Sequence, residues 1–280
     1  MEEAIKKKIK VLVASNQYGL EPICETGFKD MFYKFGQSDE IDIVFYGPWR
    51  MAIDQGRNSA VHMAQMYECD YLFFYDDDMF LADPMIGIKL LNRVINNEKI
   101  NVLQALAFIR GYPYKPMVFH LIDIDNKKAM FPYENFEALQ ELADETGLVK
   151  CDAVGCCCTV IRMEVFKYLS EPWFMTGKKN TEDIFFCVKL AHNIQDAGIY
   201  CDLTVEAGHL LDRPILTSTS RKILVEIHEK YGLDQLWLPD ATFVQRQNNT
   251  AKMFDFEKRV NFLEHIDKLP IRENENESKN

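Results

Sequence analysis

Short apolar runs alternate with amphipathic segments through the first hundred residues of the chain. The runs have strand length and are rich in β-branched and aromatic residues, and the segments between them repeat their apolar residues at helical spacing. The pattern predicts strands at residues 10–14, 41–46, 71–75 and 102–108, and helices at residues 25–35, 57–67 and from Pro84 onward. Regular alternation of strand and helix indicates an α/β protein with a parallel sheet and crossover helices.

The second half of the chain has a less regular pattern. Residues 112–125 contain two prolines and alternate weakly between apolar and polar, which is typical of a small antiparallel arm. Thr181 is a candidate N-cap, and Gly198 follows the helix that Thr181 would start. The remaining predicted elements are helices at residues 136–143, 181–197, 218–231 and 254–266 and strands at residues 149–154, 157–162 and 199–205.

Composition and charge exclude several classes of protein. The chain has 280 residues, of which 48% are hydrophobic and 12% aromatic, too large an apolar share for a disordered protein. No segment approaches the ~20 uncharged apolar residues that a membrane-spanning helix needs. The formal net charge of −11 argues against a protein that binds nucleic acid through bulk charge.

The cysteines do not form a pattern that predicts metal or disulfide chemistry. There are eight, and Cys156, Cys157 and Cys158 are consecutive. Adjacent cysteines rarely bridge one another, and the chain has no CxxC pair, so we expect buried apolar thiols in a reducing compartment. Residues 1–10 carry charge without an apolar core, unlike a secretory signal, and we expect a cytoplasmic protein.

Three polar segments follow predicted parallel strands, at residues 15–18, 47–50 and 76–78. Ligands of open α/β sheets bind outside the carboxyl ends of the strands, so these segments are expected to border a binding site. Asp76-Asp77-Asp78 is the strongest of them, because three consecutive carboxylates repel one another and offer hard oxygen ligands to a divalent cation. The alternative for this segment is a solvated acidic loop.

Two further features carry candidate chemistry. Glu182 and Asp183 fall in the first turn of the helix that Thr181 starts, where the helix dipole stabilises carboxylates and a rigid element can present a catalytic base. His209 follows a predicted strand directly after Gly208 and could complete the ligand shell of a metal. Both features have structural alternatives, namely an acidic helix start and a histidine bonded to a backbone carbonyl.

The order of strand and DxD, helix and Thr-Glu-Asp, then strand and His resembles the GT-A glycosyltransferases. The match is closest to the inverting group that includes cellulose synthase, with its TED motif, and to small phage and bacterial glycosyltransferase-like proteins. It covers residues 10–210, and the QxxRW motif of the processive polymerases is missing. The resemblance implies a Rossmann-like, mostly parallel central sheet with flanking helices. We expect a catalytic domain over residues 1–212, a C-terminal helical extension over 213–270 and a disordered tail over 271–280.

The resemblance also implies a function. The chain would be a metal-dependent glycosyltransferase that moves a sugar from a nucleotide-diphosphate sugar, by family analogy a UDP-sugar, to an acceptor hydroxyl with inversion. Asp183 would act as the catalytic base with Glu182 beside it, and Asp76, Asp78 and His209 would bind Mn²⁺ or Mg²⁺. The implied nucleotide-sugar ligands are Ser15, Asn16, Gln17, Arg57, Asn58, Asp76 and Asp77.

The acceptor and several rival functions stay open at this point. Three residues could bind the acceptor, Arg110, Asp152 and Trp173, and the acceptor could be a saccharide, a protein or a modified nucleic acid. A retaining GT-A enzyme and a transferase for hydroxylated bases in phage DNA are alternatives within the same class. A metal-dependent phosphohydrolase and a non-enzymatic nucleotide-sugar binding protein are the alternatives outside it.

Overall fold

The structure is a computed structural model that describes residues 8–17, 22–124, 127–177, 181–211 and 215–231. The predicted helix at residues 254–266 and the predicted tail at residues 271–280 lie outside the described residues. Most of the predicted C-terminal extension over residues 213–270 lies outside them as well, and so does Tyr18 of the first polar segment.

The strands and helices follow the predicted alternation through the first half of the chain. The strands are β1 (Ile9–Ala14), β2 (Ile41–Tyr46), β3 (Tyr71–Tyr75), β4 (Met79–Phe80), β5 (Val102–Leu106), β6 (Val118–Ile124), β7 (Lys127–Pro132), β8 (Leu148–Lys150), β9 (Ala153–Val154), β10 (Cys158–Arg162), β11 (Ile199–Glu206), β12 (Gly208–Leu210) and β13 (Ile215–Leu216). The helices are α1 (Pro22–Gly36), α2 (Ile53–Met66), α3 (Ile86–Ile95), α4 (Phe136–Leu142), α5 (Glu182–Asn193) and α6 (Ser218–Tyr231). A search of the described helices finds none that is long and apolar enough to cross a membrane.

A seven-stranded central sheet organises the molecule, with the strand order β2-β1-β3-β10-β5-β11-β8. The pairs β1–β2, β1–β3 and β5–β11 are parallel, which confirms the predicted α/β class and the mostly parallel sheet. β10 runs antiparallel between β3 and β5, and β8 runs antiparallel at the edge. The pattern along the chain did not predict β10 in the middle of the sheet, because apolar runs of parallel and antiparallel buried strands look alike.

The register brings the predicted ligand segments to one edge of the sheet. Ala14, the last residue of β1, pairs with Tyr46 on one side and with Phe74 on the other. The carboxyl ends of β1, β2 and β3 are therefore level, and the polar segments that follow them are neighbours. This is the edge at which open α/β sheets bind their ligands.

Apolar residues cover both faces of the sheet. Alternate residues of β1 point to opposite faces, so Leu12 and Ala14 join one buried cluster while Val11 and Val13 join another. Helices α2 and α5 pack into the first cluster, and α1 and α3 pack into the second. The sheet is buried between two helical layers, which explains why its strands are almost continuously apolar.

Two small antiparallel sheets flank the central one. The sheet β7-β6-β9 forms the predicted arm, and the sheet β13-β12-β4 joins the segment after β3 to the segment after β11. The predicted strand at residues 149–154 is in fact two strands, because β8 pairs with β11 whereas β9 pairs with β6. The helix α5 is shorter than predicted and ends at Asn193.

All eight cysteines are free and buried, so the expectation of buried apolar thiols is confirmed. Burial raises the pKa of the Cys151 and Cys157 thiols well above the ordinary value for cysteine. These thiols therefore behave as small apolar core residues at neutral pH.

Candidate active site

The acidic segment after β3 is fixed by backbone pairing on both sides. The amide of Asp76 donates to the carbonyl oxygen of Cys157 at 2.8 Å, next to β10. The carbonyl oxygen of Asp78 accepts from the amide of Leu210 at 2.9 Å, and Met79 in β4 pairs with His209 in β12. This antiparallel pairing is the reason why the predicted DxD and the predicted histidine, 131 residues apart, lie side by side.

The carboxylate of Asp78 contacts the side chains of His209 and Arg110. Its Oδ2 lies 3.3 Å from Nε2 of His209 and 3.0 Å from Nη1 of Arg110. Nδ1 of His209 lies 2.8 Å from the carbonyl oxygen of Phe108 and therefore carries a proton. In the imidazolium, Nε2 is protonated as well and donates to Asp78, whereas in the neutral tautomer the lone pair of Nε2 is available to a cation. Burial opposes ionisation, but the hydrogen bond and charge of His209 and the charge of Arg110 outweigh it and lower the pKa of Asp78 to about 2.

Arg57 connects the two acidic motifs from inside the protein. Its Nη2 donates to Oδ1 of Asp76 at 2.6 Å, and its Nε lies 3.5 Å from Oε1 of Glu182. The guanidinium lies over the ring of Phe74 with 4.6 Å to the centroid, and the side chain is only 2% exposed. Within the described residues, Nε and Nη1 have no hydrogen-bond partner. The structure thus places Arg57 as an internal counter-charge rather than as an exposed ligand for a diphosphate.

Glu182 and Asp183 form a buried carboxylate pair at the start of α5. Glu182 is 7% and Asp183 8% exposed, and the amide of Ile184 donates to Oδ1 of Asp183 at 2.7 Å. Burial and the charge of Asp183 raise the pKa of Glu182 to about 8. Burial also raises the pKa of Asp183, although hydrogen bonds from Thr181 and Ile184 favour its ionised form. Both carboxyl groups therefore hold a proton more tightly than exposed acids do, which is a property that a general base requires.

Gly155 allows the carboxylate of Asp183 to approach the sheet. A Cβ atom on Gly155 would lie 2.6 Å from Cε of Met117, 3.3 Å from Oε1 of Gln104 and 3.5 Å from Oδ2 of Asp183. Gln104 is fully buried in β5, and neither atom of its amide has a partner in the described part of the chain. The sequence analysis missed Gln104, although an amide inside the apolar run of β5 is a signal that could have found it.

Asn58 and Trp173 are placed differently from what the sequence suggested. The side-chain amide of Asn58 donates to the carbonyl oxygens of Asp54 and Phe174 and accepts from the amides of Trp173 and Phe174. Trp173 is 3% exposed, and its indole N–H donates to the carbonyl oxygen of Leu169. Both side chains hold the segment before α5 against α2, and the ring of Trp173 is a core residue rather than an exposed acceptor platform.

The first predicted nucleotide segment runs beside the segment after β2. Ser15 and Asn16 are buried, and Nδ2 of the Asn16 side chain donates to the carbonyl oxygen of Ile53 at 3.3 Å. The amide of Gln17 donates to the carbonyl oxygen of Pro48 at 3.0 Å, which extends the parallel pairing beyond β1 and β2. The hydroxyl of Ser15 has no hydrogen-bond partner among the described residues.

Trp49 is an exposed aromatic residue at this edge that the sequence analysis did not single out. It pairs with Gln17 in an isolated parallel bridge and is 57% exposed, whereas the indole of Trp173 is buried. The guanidinium of Arg50 lies 5.4 Å from the centroid of its ring, and Arg50 has a φ of 54°, in the left-handed region that non-glycine residues rarely adopt. The Gly-Pro-Trp-Arg sequence directly after β2 was the available signal.

The other predicted acceptor residues lie on separate elements. Arg110 reaches Asp78, as described above, and its side chain is 56% exposed. Asp152 is exposed between β8 and β9, where its Oδ2 accepts from the amide of Leu121 at 2.7 Å. Asp77 is half-buried between Asp76 and Asp78. The structure therefore brings Arg110 to the acidic segment and gives Asp152 a contact within the antiparallel arm.

The donor set at Asp78 fits a cation that is bound together with a phosphate. Among the described residues, no three His, Cys, Asp or Glu side chains are arranged so that they could hold a metal ion. Nε2 of His209 and Oδ2 of Asp78 are nevertheless 3.3 Å apart, and adjacent ligands of an octahedral Mg²⁺ at ~2.1 Å lie roughly 3 Å apart. Mg²⁺ usually takes one or two protein carboxylates and completes its shell with phosphate oxygens and water.

Comparison with known proteins adds structures of limited similarity. No protein-family model matches the chain, and no curated protein matches it. The crystal structure of A197 from STIV is similar with a TM-score of 0.49 and 17% identity, over 75% of this chain and 91% of that chain. A glucosyl-3-phosphoglycerate synthase from Mycobacterium tuberculosis, in complex with Mn²⁺, UDP and phosphoglyceric acid, is similar with a TM-score of 0.45 and 12% identity, over 84% and 80% of the two chains. Because these scores are low, the assignment below rests on the site.

Proposed function

We propose that this chain is a metal-dependent transferase for a substrate linked to a nucleoside diphosphate. The observation that carries the proposal is that Asp78 and His209, which fit a cation, and the buried pair Glu182 and Asp183 are linked through Asp76 and Arg57. A cation ligand set and a proton acceptor on rigid elements are the two groups that such a transfer needs.

Within that class, we propose a GT-A glycosyltransferase that uses a nucleotide-diphosphate sugar and an acceptor hydroxyl. The order of the DxD, Thr-Glu-Asp and histidine motifs supports this choice over other diphosphate chemistry, because these residues meet at the carboxyl edge of one parallel sheet. UDP-sugars are the proposed donors, and inversion is the proposed stereochemical course. The eight buried free thiols suit a reducing compartment, and we place the enzyme in the cytoplasm as part of this proposal.

The residues divide the chemistry between them. Asp78 and His209 would hold Mn²⁺ or Mg²⁺ together with phosphate oxygens, with Asp76 as the proposed third protein ligand, and the cation would supply positive charge that stabilises the leaving nucleoside diphosphate. Asp183 takes the proton from the acceptor hydroxyl, because its carboxylate is fixed by the start of α5 and burial raises its pKa. Arg57 offsets the charge of Asp76 and Glu182, so that the acids can lie close together before the substrate binds.

The segments after β1 and β2 are the proposed site for the nucleoside. Gln17 and Ser15 lie at the end of β1, and Trp49 offers an exposed ring beside Gln17. The strand order β2-β1-β3 puts Trp49 two strands away from the acidic segment, roughly 10 Å at the usual strand spacing. A ribose and a diphosphate can span that distance, so a base on Trp49 would leave its phosphates near Asp78. Stacking on an aromatic ring contributes about 1–3 kcal/mol per base.

Two residues, Arg110 and Asp152, are proposed to bind the acceptor. Arg110 is the proposed acceptor residue that lies nearest the acidic segment. Asp152 lies between the arm and the central sheet, three residues before the glycine that approaches Asp183, and it stays a proposed acceptor residue. The proposed acceptor is a saccharide, a protein or a modified nucleic acid.

Joint binding of metal and nucleotide tests the proposal. Isothermal titration calorimetry should show that UDP, the nucleotide in the M. tuberculosis synthase complex, binds at least tenfold more tightly with Mn²⁺ than without it. Asp78→Asn should remove this enhancement, whereas Asp83→Asn, an exposed acid paired with Lys89, should keep it. UDP affinity that does not depend on Mn²⁺ would contradict the proposed metal site.

A further inference from the structure

The first turn of α6 is attached to the strand that leads to His209. The hydroxyl of Ser218 donates to Oε2 of Glu206 at 2.9 Å, and the amide of Ser218 donates to Oε1 at 2.5 Å. Glu206 is the last residue of β11, and β12, which carries His209, begins two residues later. The start of α6 is therefore held close in sequence to one of the two groups that meet at Asp78.

The same turn is attached to the hairpin that carries Arg110. Arg221 is 8% exposed, and its Nε donates to the carbonyl oxygen of Tyr114 at 2.9 Å. Tyr114 closes a tight turn, with a φ of 56° and its amide 2.7 Å from the carbonyl oxygen of Gly111. The hairpin around this turn is paired through the amide of Ile109 and the carbonyl oxygen of Lys115 at 2.8 Å.

These two attachments converge on one carboxylate oxygen. Oδ2 of Asp78 lies 3.0 Å from Arg110 and 3.3 Å from His209. Arg110 is half exposed and has a long, flexible side chain, so its position over Asp78 depends on the hairpin that carries it. A guanidinium at this oxygen opposes a divalent cation there, and it attracts a diphosphate that arrives with the cation.

We propose that Arg221 is a positioning residue that makes metal binding depend on nucleotide binding. By fixing the hairpin 109–115, it keeps Arg110 on Asp78, which weakens the binding of Mn²⁺ alone and lets Arg110 pair with a bound diphosphate. The effect on the cation rests on the proposed function, whereas the fixing of the hairpin does not. Helix α6, the last helix of the described residues, thus has a role at the site, although it follows the motifs in sequence.

Hydrogen exchange tests, without any metal, whether Arg221 fixes the hairpin 109–115. In the full chain, Arg221→Met should speed amide exchange within residues 109–115 at least fivefold and leave the strands β1 and β3 unchanged. Lys222→Met is the matched control, because Lys222 is exposed, lies next to Arg221 and forms its ion pair with Glu137 on α4 rather than with the hairpin. Arg221→Lys, which can still donate to the Tyr114 carbonyl oxygen, should give a smaller increase than Arg221→Met. Unchanged exchange in the hairpin of Arg221→Met overturns the proposal.

Calorimetric titration tests whether Arg110, held on Asp78, weakens the binding of Mn²⁺ in the absence of a nucleotide. Arg110→Met should bind Mn²⁺ alone about threefold more tightly than the wild type, and the factor by which UDP tightens Mn²⁺ binding should fall. Arg221→Met should shift both quantities in the same direction, and the double variant should match Arg110→Met because both substitutions act through one contact. Additive effects, or an Arg221→Met variant with wild-type Mn²⁺ and UDP affinities, would overturn the proposal. If the wild type binds no Mn²⁺ with UDP, the proposed function fails instead, and the hydrogen-exchange result still decides the role of Arg221 in the hairpin.

Discussion

At the scale of single residues, the site depends on acids that are kept close together inside the protein. Glu182 and Asp183 are adjacent and buried, and each raises the cost of ionising the other. The start of α5 offsets this cost through its dipole and the Ile184 amide, and Arg57 adds a full positive charge. The result is a buried carboxyl pair whose members hold a proton more tightly than exposed acids do.

Replacement of the proposed base tests this account at the residue scale. Asp183→Asn should lower kcat roughly 10²–10⁴-fold, because an amide cannot accept the acceptor proton. The affinity for UDP with Mn²⁺ should change less than threefold, since the cation and the nucleoside lie on other residues. Steady-state kinetics and calorimetry on the same variant separate the two effects. Asp30→Asn, on the exposed side of α1, is the control, and a variant that keeps more than a tenth of the activity would contradict the role of Asp183.

Residue types predicted which side chains come together better than they predicted which way those side chains face. Asp78 and His209 were found from their positions after strands, and the structure pairs them. Arg57 and Asn58 were predicted to face the donor, but they bond inside the protein. The sequence of an Arg-Asn pair is the same whether the pair faces a ligand or a neighbouring segment. Only the packing of the helix determines which of the two its polar residues contact.

At the scale of elements, the segment before α5 determines where Glu182 and Asp183, the proposed catalytic pair, lie. Asn58 on α2 bonds the backbone of Trp173 and Phe174, and Asp54 accepts from the amide of Thr176 at 3.1 Å. Lys189 on α5 donates to the carbonyl oxygens of Ser170 at 2.5 Å and Pro172 at 2.9 Å. The segment is thus fastened to both helices, which fixes α5 relative to the sheet.

Removal of the Asn58 side-chain amide should show how much these hydrogen bonds contribute to the free energy of unfolding. Asn58→Ala leaves two backbone amides and two carbonyl oxygens without their partner, and we expect a loss of about 2–4 kcal/mol in the free energy of unfolding. Urea denaturation measures the loss. Gln65→Ala, an exposed substitution on the same helix, should change the free energy by less than about 0.5 kcal/mol. An Asn58→Ala protein as stable as the control would contradict the assigned role of this residue.

The sequence predicted the existence of most elements but not all of their neighbours. The alternating first half follows from local periodicity, since each strand and helix is long enough to show its repeat. The insertion of β10 between β3 and β5 depends on contacts between residues far apart, Val160 with Phe73 and with Leu103. Periodicity carries no information about such pairs. For the same reason the sequence did not predict the contact between Arg221 of α6 and the hairpin at Tyr114.

At the scale of the whole molecule, the buried thiols link stability to pH. Burial raises the pKa of Cys158 and Cys201 as well as that of Cys151 and Cys157, so the folded protein keeps these thiols protonated where the unfolded chain ionises them. A folded pKa above the unfolded value gives stability that is complete below the unfolded pKa and is lost as the pH rises above it.

The free energy of unfolding should therefore fall above about pH 8.5, the ordinary pKa of a cysteine thiol. Each buried thiol contributes up to about 1.4 kcal/mol per pH unit to this loss. Urea denaturation at pH 7, 8, 9 and 10 measures the slope, and Cys201→Ala should reduce it by up to that amount. A stability that does not change between pH 8 and 10 would contradict the burial of the thiols.

Part of the net charge of −11 is concentrated at the proposed site. Five of the acids, Asp76, Asp77, Asp78, Glu182 and Asp183, belong to the proposed site. A bound divalent cation would dominate the potential around them, so part of the acidic excess is explained by a proposed metal site. The molecule as a whole is expected to bind a small anionic ligand through that cation rather than a polyanion through its surface.

The central claim, a metal-dependent transfer from a nucleotide sugar, is tested most directly by nucleotide release. The wild type is incubated with UDP-, GDP- and CMP-sugars, with and without Mn²⁺, and the freed nucleotide is measured. The account predicts release from at least one donor, increased at least tenfold by Mn²⁺, and lost in Asp78→Asn. No metal-stimulated release from any donor, or release that Asp78→Asn leaves unchanged, would contradict it.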